Sequence, residues 1–284
     1  MIRALVVVVV ALLAAPRAAV AYTCTRAFDT GPSLAWDTRT VTLHITRGDG
    51  ADLVEADLDA AVRAAATTWT DVACSDVVVE VAGFTDERRA GFDWSEGSDA
   101  PSNIHLVTWR GGSDDLVDTW LHPVSALAIT TVTFVRASGR ILDADIEMND
   151  DRFLFTTCDG DEGCIVRHDL QNTLVHEVGH VLGLDHPPQN QPLVEDATMY
   201  ATAPEGETKK RTLDVDDENG LCAIYPSGAE NGECYGVERR DPPDVTVRST
   251  GGCGGASSSA LLVPLALLVR RRALLRPARH PHVG

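Results

Sequence analysis

His176-Glu177-Val178-Gly179-His180-Val181-Leu182-Gly183-Leu184-Asp185-His186 is the stretch on which the reading of this 284-residue chain turns. Histidines four apart lie on one face of a helix, so the imidazoles of His176 and His180 can reach one metal ion. Glu177 stands beside the first of them. It is poorly placed to be a ligand and well placed to take a proton from a metal-bound water. Gly183 ends the helix and tolerates a positive φ, which lets the chain swing back and bring His186 in as a third nitrogen. Three protein ligands leave a fourth position for water, the mark of a catalytic rather than a structural zinc. With 9 His and 23 Gly in the chain, the five fixed positions coincide by accident in roughly a few in 100,000 such sequences.

Outward from this helix, which the pattern extends over about 169–182, strands and helices mix without strict alternation. Residues 40–46 (TVTLHIT) alternate and are β-branched, and 77–81, 104–109, 126–135 and 141–148 read as further strands. Val54, Leu58, Ala61, Val62, Ala65 and Trp69 recur at helical spacing, giving an amphipathic helix over about 52–71. A last helix over about 214–225 opens on Asp214, Asp216, Asp217 and Glu218, acids favoured at a helix N-terminus, and stops at Pro226. The expected fold is therefore α+β, in one domain spanning residues 22–226.

Both ends read as addresses. Arg3, the apolar run Leu5–Ala15 and Ala19-Val20-Ala21 form a secretory signal peptide over residues 1–21. Residues 227–252 are polar, carry Pro242-Pro243 and read as a linker. From 253 to 284 come Cys253 among glycines, the apolar stretch Ala260–Val269 broken by Pro264, and Arg270-Arg271-Arg272. Ten such residues cannot comfortably span a hydrocarbon core of about 30 Å. The tail resembles C-terminal sorting tails of the MYXO-CTERM type, which implies cutting near Cys253 and retention at the cell surface.

The charge balance is 24 Lys+Arg against 42 Asp+Glu, and the two ends hold seven of the arginines and no acid. So negative a body excludes nucleic acid as a partner and disfavours anionic membrane. Of seven cysteines, setting Cys253 aside leaves six, an even number in a secreted chain, hence three disulfides among 15 pairings. Cys158–Cys164 closes a turn-rich loop; Cys222–Cys234 and Cys24–Cys74 complete the expected set. Cys24 as a thiolate cap on the metal is the alternative, and it would leave an odd cysteine.

The extended motif H-E-x-x-H-x-x-G-x-x-H resembles that of the metzincin metallopeptidases, and its Gly-Leu-Asp-His ending is most similar to the matrixin branch. Ala197-Thr198-Met199-Tyr200 resembles the family's Met-turn. Arg211-Thr212-Leu213, Asp216-Asp217, Gly220 and Ile224-Tyr225 resemble its C-terminal helix. The likeness covers residues 36–226 and implies a twisted five-stranded mixed sheet, an active-site helix and a small C-terminal subdomain, with zinc at the floor of a cleft. It makes Met199 and Gly183 structural supports of the site rather than ligands, and Tyr200 stands one residue short of a metal-reaching tyrosine. It also implies that an extended peptide pairs with the edge strand Ala126–Thr133, with specificity from walls built by 187–200 and 200–211.

His105 and His122 lack ligand spacing and read as core or surface residues. Asp143, Asp145, Glu147, Asp150 and Asp151 admit Ca2+ as a second cation, although no EF-hand pattern specifies a site. Lys209-Lys210-Arg211 reads as a solvated basic run. The expected protein is a monomeric, secreted, surface-held zinc endopeptidase with Glu177 as general base. Its rival is a non-catalytic, surface-displayed binding module that keeps zinc for structure.

Overall fold

The computed structural model describes residues 22–48, 53–95, 103–111, 116–157, 166–189, 194–234 and 247–251. Residues 1–21, read as a signal peptide, residues 253–284, read as a sorting tail, and Cys158 and Cys164 with their expected bridge lie outside these residues.

Five strands build the expected mixed sheet: β1 (Thr40–Thr46), β2 (Val78–Thr85), β3 (His105–Arg110), β4 (Ala128–Phe134) and β5 (Ile141–Asn149). Their order is β4-β5-β3-β1-β2, with β1, β2, β3 and β5 parallel and β4 antiparallel to β5. A sixth strand, β6 (Val247–Gly251), pairs antiparallel with β4 on its outer edge.

Helices α1 (Glu55–Thr70) and α2 (Leu170–Val181) pack on each other and against the sheet. Leu58, Ala61, Val62, Ala65, Ala66 and Trp69 form the buried face of α1, the stripe that the periodicity predicts. Trp69 Nε1 donates to the Val175 carbonyl at 2.7 Å and so ties the two helices together. Every residue of α2 except Gln171 is buried, and Asp169 caps its start by accepting the Asn172 N–H at 2.7 Å. The third helix, α3 (Val215–Ile224), begins with a capping box of Asp214 and Asp217. The chain enters the described structure at Tyr22, whose backbone N–H donates to Asp216 Oδ1 at 2.9 Å.

The disulfides differ from the expected set. Cys24 pairs with Cys234 and Cys74 with Cys222, not Cys24 with Cys74 or Cys222 with Cys234. Residues 23–24 lie antiparallel to Leu184–Asp185, which places Cys24 beside the returning chain, while Cys74 follows α1 and meets Cys222 on α3. The bridge also removes Cys24 as a metal cap.

The linker reading of 227–252 is corrected at both described ends. Ser227 N donates to the Cys74 carbonyl, Gly232 N donates to Ile224, and Cys234 is fully buried. The folded body therefore runs on to Cys234, and Val247–Gly251 belongs to the sheet. Among the described residues no helix is long and apolar enough to cross a membrane.

Candidate active site

The site begins with the period of α2. His176 and His180 project from one face of it, and Gly183, at φ 92°, turns the chain immediately after the helix. No other residue fits there, because a Cβ would stand 2.3 Å from the Leu34 carbonyl oxygen. The turn returns His186 to the first two histidines. Their Nε2 atoms then lie 3.0 Å (His176–His186), 3.1 Å (His180–His186) and 3.2 Å (His176–His180) apart.

Three imidazole nitrogens at such separations converge on one point, and the donor set suits a metal of zinc's kind. The outer nitrogens support this fit. His176 Nδ1 lies 2.7 Å from the Thr198 carbonyl and His180 Nδ1 lies 2.9 Å from the Leu184 carbonyl. A carbonyl only accepts, so each Nδ1 carries the proton and each Nε2 presents a lone pair inward. Burial, then the Lys210 ammonium and the two neighbouring imidazoles, hold His176 well below the usual histidine range, which favours the neutral form able to bind a metal.

Glu177 is fully buried beside this cluster, and the Thr130 hydroxyl donates to its Oε2 at 2.7 Å. Thr130 belongs to β4, so the glutamate is fastened to the sheet as well as to its own helix.

Met199 packs beneath α2. A Cβ on Gly179 would come within 2.3 Å of Met199 Sδ and 2.8 Å of Trp69 Cζ2, so the close approach depends on the glycine. The turn that carries Met199 is gripped by Asp217. Its carboxylate accepts the backbone N–H groups of Thr198 (2.7 Å), Met199 (3.0 Å) and Asp214 (3.0 Å). Burial nonetheless raises this carboxyl to about 6.

The basic run 209–211 is not solvated as a unit. Lys210 is fully buried, donating to the Tyr200 carbonyl and, at 2.8 Å, to that of Thr202. Arg211 Nε donates to Asp169 Oδ1 at 2.9 Å, at the start of α2. Lys209 alone stays exposed, donating to the Glu195 carbonyl.

His105 and His122 stand apart from the triad, at Asp143 (3.0 Å) and Glu147 (2.9 Å). Two of the acids read as calcium candidates are met by protein donors. Asp145 accepts the N–H groups of Gly91 and Leu106, and Glu147 accepts Arg110 Nε at 2.6 Å. Among the described residues His176, His180 and His186 form the one group of three or more such side chains able to hold a metal. His122 and Glu147 instead line a cavity of about 490 Å³ together with Thr131. Thr131 follows Thr130 in the strand and so faces away from α2.

Sequence reasoning missed Thr130, the burial of Lys210 and the grip of Asp217. Only the last left a local signal, the Asp214-x-x-Asp217 spacing of a capping box.

An α+β body with three inward histidines and an adjacent buried glutamate defines a zinc-metallopeptidase architecture. The family model for matrixin matches residues 35–226, and the chain belongs to the matrixin family. Metalloendoproteinase 4-MMP of Arabidopsis thaliana is 42% identical over 65 residues, which are 23% of this chain and 17% of that protein. A putative matrix metalloproteinase of Spodoptera frugiperda ascovirus 1a is 32% identical over 112 residues, 38% of this chain and 28% of that protein. Metalloendoproteinase 2-MMP of Arabidopsis thaliana is 36% identical over 107 residues, 35% of this chain and 25% of that protein. The chain thus spans less than a third of the length of these relatives.

Proposed function

We propose that this chain is a secreted zinc endopeptidase in which Glu177 is the general base. The observation that carries the reading is the convergence of His176, His180 and His186, with Glu177 one residue along the same helix. Zinc, when bound there, supplies a water of lowered pKa and a Lewis acid for the scissile carbonyl.

The remaining work falls to the chain. The carbonyls of Thr198 and Leu184 orient the two helical imidazoles, and burial keeps bulk water from competing for them. Glu177 accepts the proton of the attacking water on its carboxylate and passes it to the leaving amine nitrogen. Thr130 fixes that carboxylate by its hydroxyl. An extended peptide would pair with strand β4, beside Glu177, through the outer backbone groups that Val247–Gly251 occupies in the structure. Secretion follows from the signal peptide read in residues 1–21, and surface retention from the tail after Cys253. A mature chain still ending at Gly284 with unmodified Cys253, by mass spectrometry, refutes the retention.

The test of the activity is Glu177→Ala in the full chain. Zinc measured by elemental analysis stays at one ion per chain, because the side chain is not a ligand. Hydrolysis of a broad peptide library falls about 10²–10⁴-fold, the usual share of a general base. A wild type that cuts no peptide favours the zinc-containing binding module instead, and a variant as active as wild type refutes Glu177 as the general base.

A further inference from the structure

We propose that the outer edge of β4 is a strand-docking surface whose resident partner is the chain's own segment Val247–Gly251, so that a substrate gains this edge only when the segment leaves it. The pairing is antiparallel and continuous over five residues, from Val247 opposite Thr133 to Gly251 opposite Ile129. Without β6, β4 would be the open edge of the sheet, a row of unpaired N–H and C=O groups ready to take another strand.

The register gives the docking its functional meaning. Thr250 stands opposite Thr130, whose hydroxyl holds the Glu177 carboxylate. The C-terminal end of β6 therefore lies level with the glutamate, along the stretch of β4 nearest the site. Occupant and peptide would use the same backbone donors and acceptors of β4, so one excludes the other.

Connectivity favours the occupant. Cys234 is buried and bonded to Cys24, so the tether from the folded body to Val247 is only residues 235–246. A partner on a tether of that kind meets its surface at an effective concentration on the order of millimolar. A free peptide must exceed that level, or a process that draws the tail away must release the edge. The chemistry that this surface recognises is an extended backbone, and Val247 and Thr250 are β-branched residues suited to one.

The exclusion rests on the reading of Glu177 and the triad as the hydrolytic centre; the docking does not. The test therefore carries two readouts on the full chain, wild type against the double variant Arg248→Pro with Ser249→Pro. Consecutive N–H groups of a strand point to opposite sides, so one of the two prolines removes a donor to β4. Amide exchange at the alternate N–H groups of Ile129–Thr133 that face β6 is expected to accelerate about tenfold or more, since those groups pass from paired to exposed, while the ones bonded to β5 keep their rates. The KM for a fluorogenic peptide is expected to fall several-fold at constant kcat, the signature of a lost competitor. A synthetic peptide of residues 245–252 added to the variant should restore both values, which separates docking from any disturbance of the fold.

Wild-type exchange rates in the variant, or an unchanged KM in an active enzyme, overturn the proposal. Accelerated exchange in a chain that hydrolyses nothing keeps the docking surface and sinks the endopeptidase reading.

Discussion

Thr130 places one hydroxyl between two elements that the sequence gives no reason to join. It lies 47 residues before Glu177, and its Oγ1 is 2.7 Å from the carboxylate and 3.2 Å from the Glu177 carbonyl. In the proposed mechanism Glu177 accepts a proton and then delivers it elsewhere, which works best from one fixed position. Thr130→Val keeps the shape and deletes the donor. We expect kcat/KM to fall about tenfold, as for the loss of one hydrogen bond of about 1.4 kcal/mol to a charged group. KM and zinc content should stay unchanged, and Thr130→Ser should restore the rate; equal steady-state kinetics for the valine variant and wild type would count against the positioning role. The triad was legible because its three histidines fall within eleven consecutive residues governed by helix period and one turn. Thr130 was not, since its part is set by which sheet edge overlies α2.

Single elements were read well where a period or a cap speaks locally. The stripe of α1 and the capped starts of α2 and α3 stand where the sequence puts them, within a few residues. What an element does for another was less visible. The acids opening α3 read as partners of the helix dipole, yet Asp217 turns inward and binds the Met199 turn. Thr198 in that turn orients His176, so α3 reaches the site through one carboxylate. Asp217→Ala leaves buried N–H groups without their acceptor, which costs about 1–3 kcal/mol each. Denaturant titration should show a loss of that size, and zinc affinity should drop with it.

The same carboxyl predicts a pH dependence. Burial raises it in the folded chain to about 6 from an ordinary 3.8. Its protonated form is therefore favoured by folding: the contribution to stability is full below about 3.8 and is lost as pH rises through about 6. The stability of wild type relative to Asp217→Asn should decline across that window, as measured by denaturation at pH 4, 5 and 6.5. A flat difference would show that the N–H groups outweigh the burial.

Across the whole molecule, the two described bridges staple distant parts of the chain, with sequence separations of 210 and 148 residues. Reasoning from the sequence favours short loops, whereas the sheet carries the ends of the domain to one another, and no spacing reveals that. Cross-links over such long loops restrict the unfolded chain strongly. Replacing Cys74 and Cys222 together by serine should cost about 5 kcal/mol, read from the shift in urea midpoint. A loss below about 1 kcal/mol would show that the unfolded chain already holds these segments together.

The contact between Tyr22 and Asp216 also belongs to this scale, because it joins the start of the domain to its last helix. If the leader is removed after Ala21, the Tyr22 nitrogen ceases to be an amide and becomes a primary amine, protonated below about pH 7.7–8.0. The hydrogen bond then turns into an ion pair, one residue before the carboxylate that steadies the turn under the histidine triad. A single extra residue ahead of Tyr22 would keep the nitrogen neutral and displace that charge. Thermal denaturation should find such an extended chain less stable by about 1 kcal/mol, with Asp216→Asn abolishing the difference. Export would thus leave a chemical signature in the folded protein: a molecule trimmed at the proper bond is distinguishable, by the charge on one nitrogen, from one that was not.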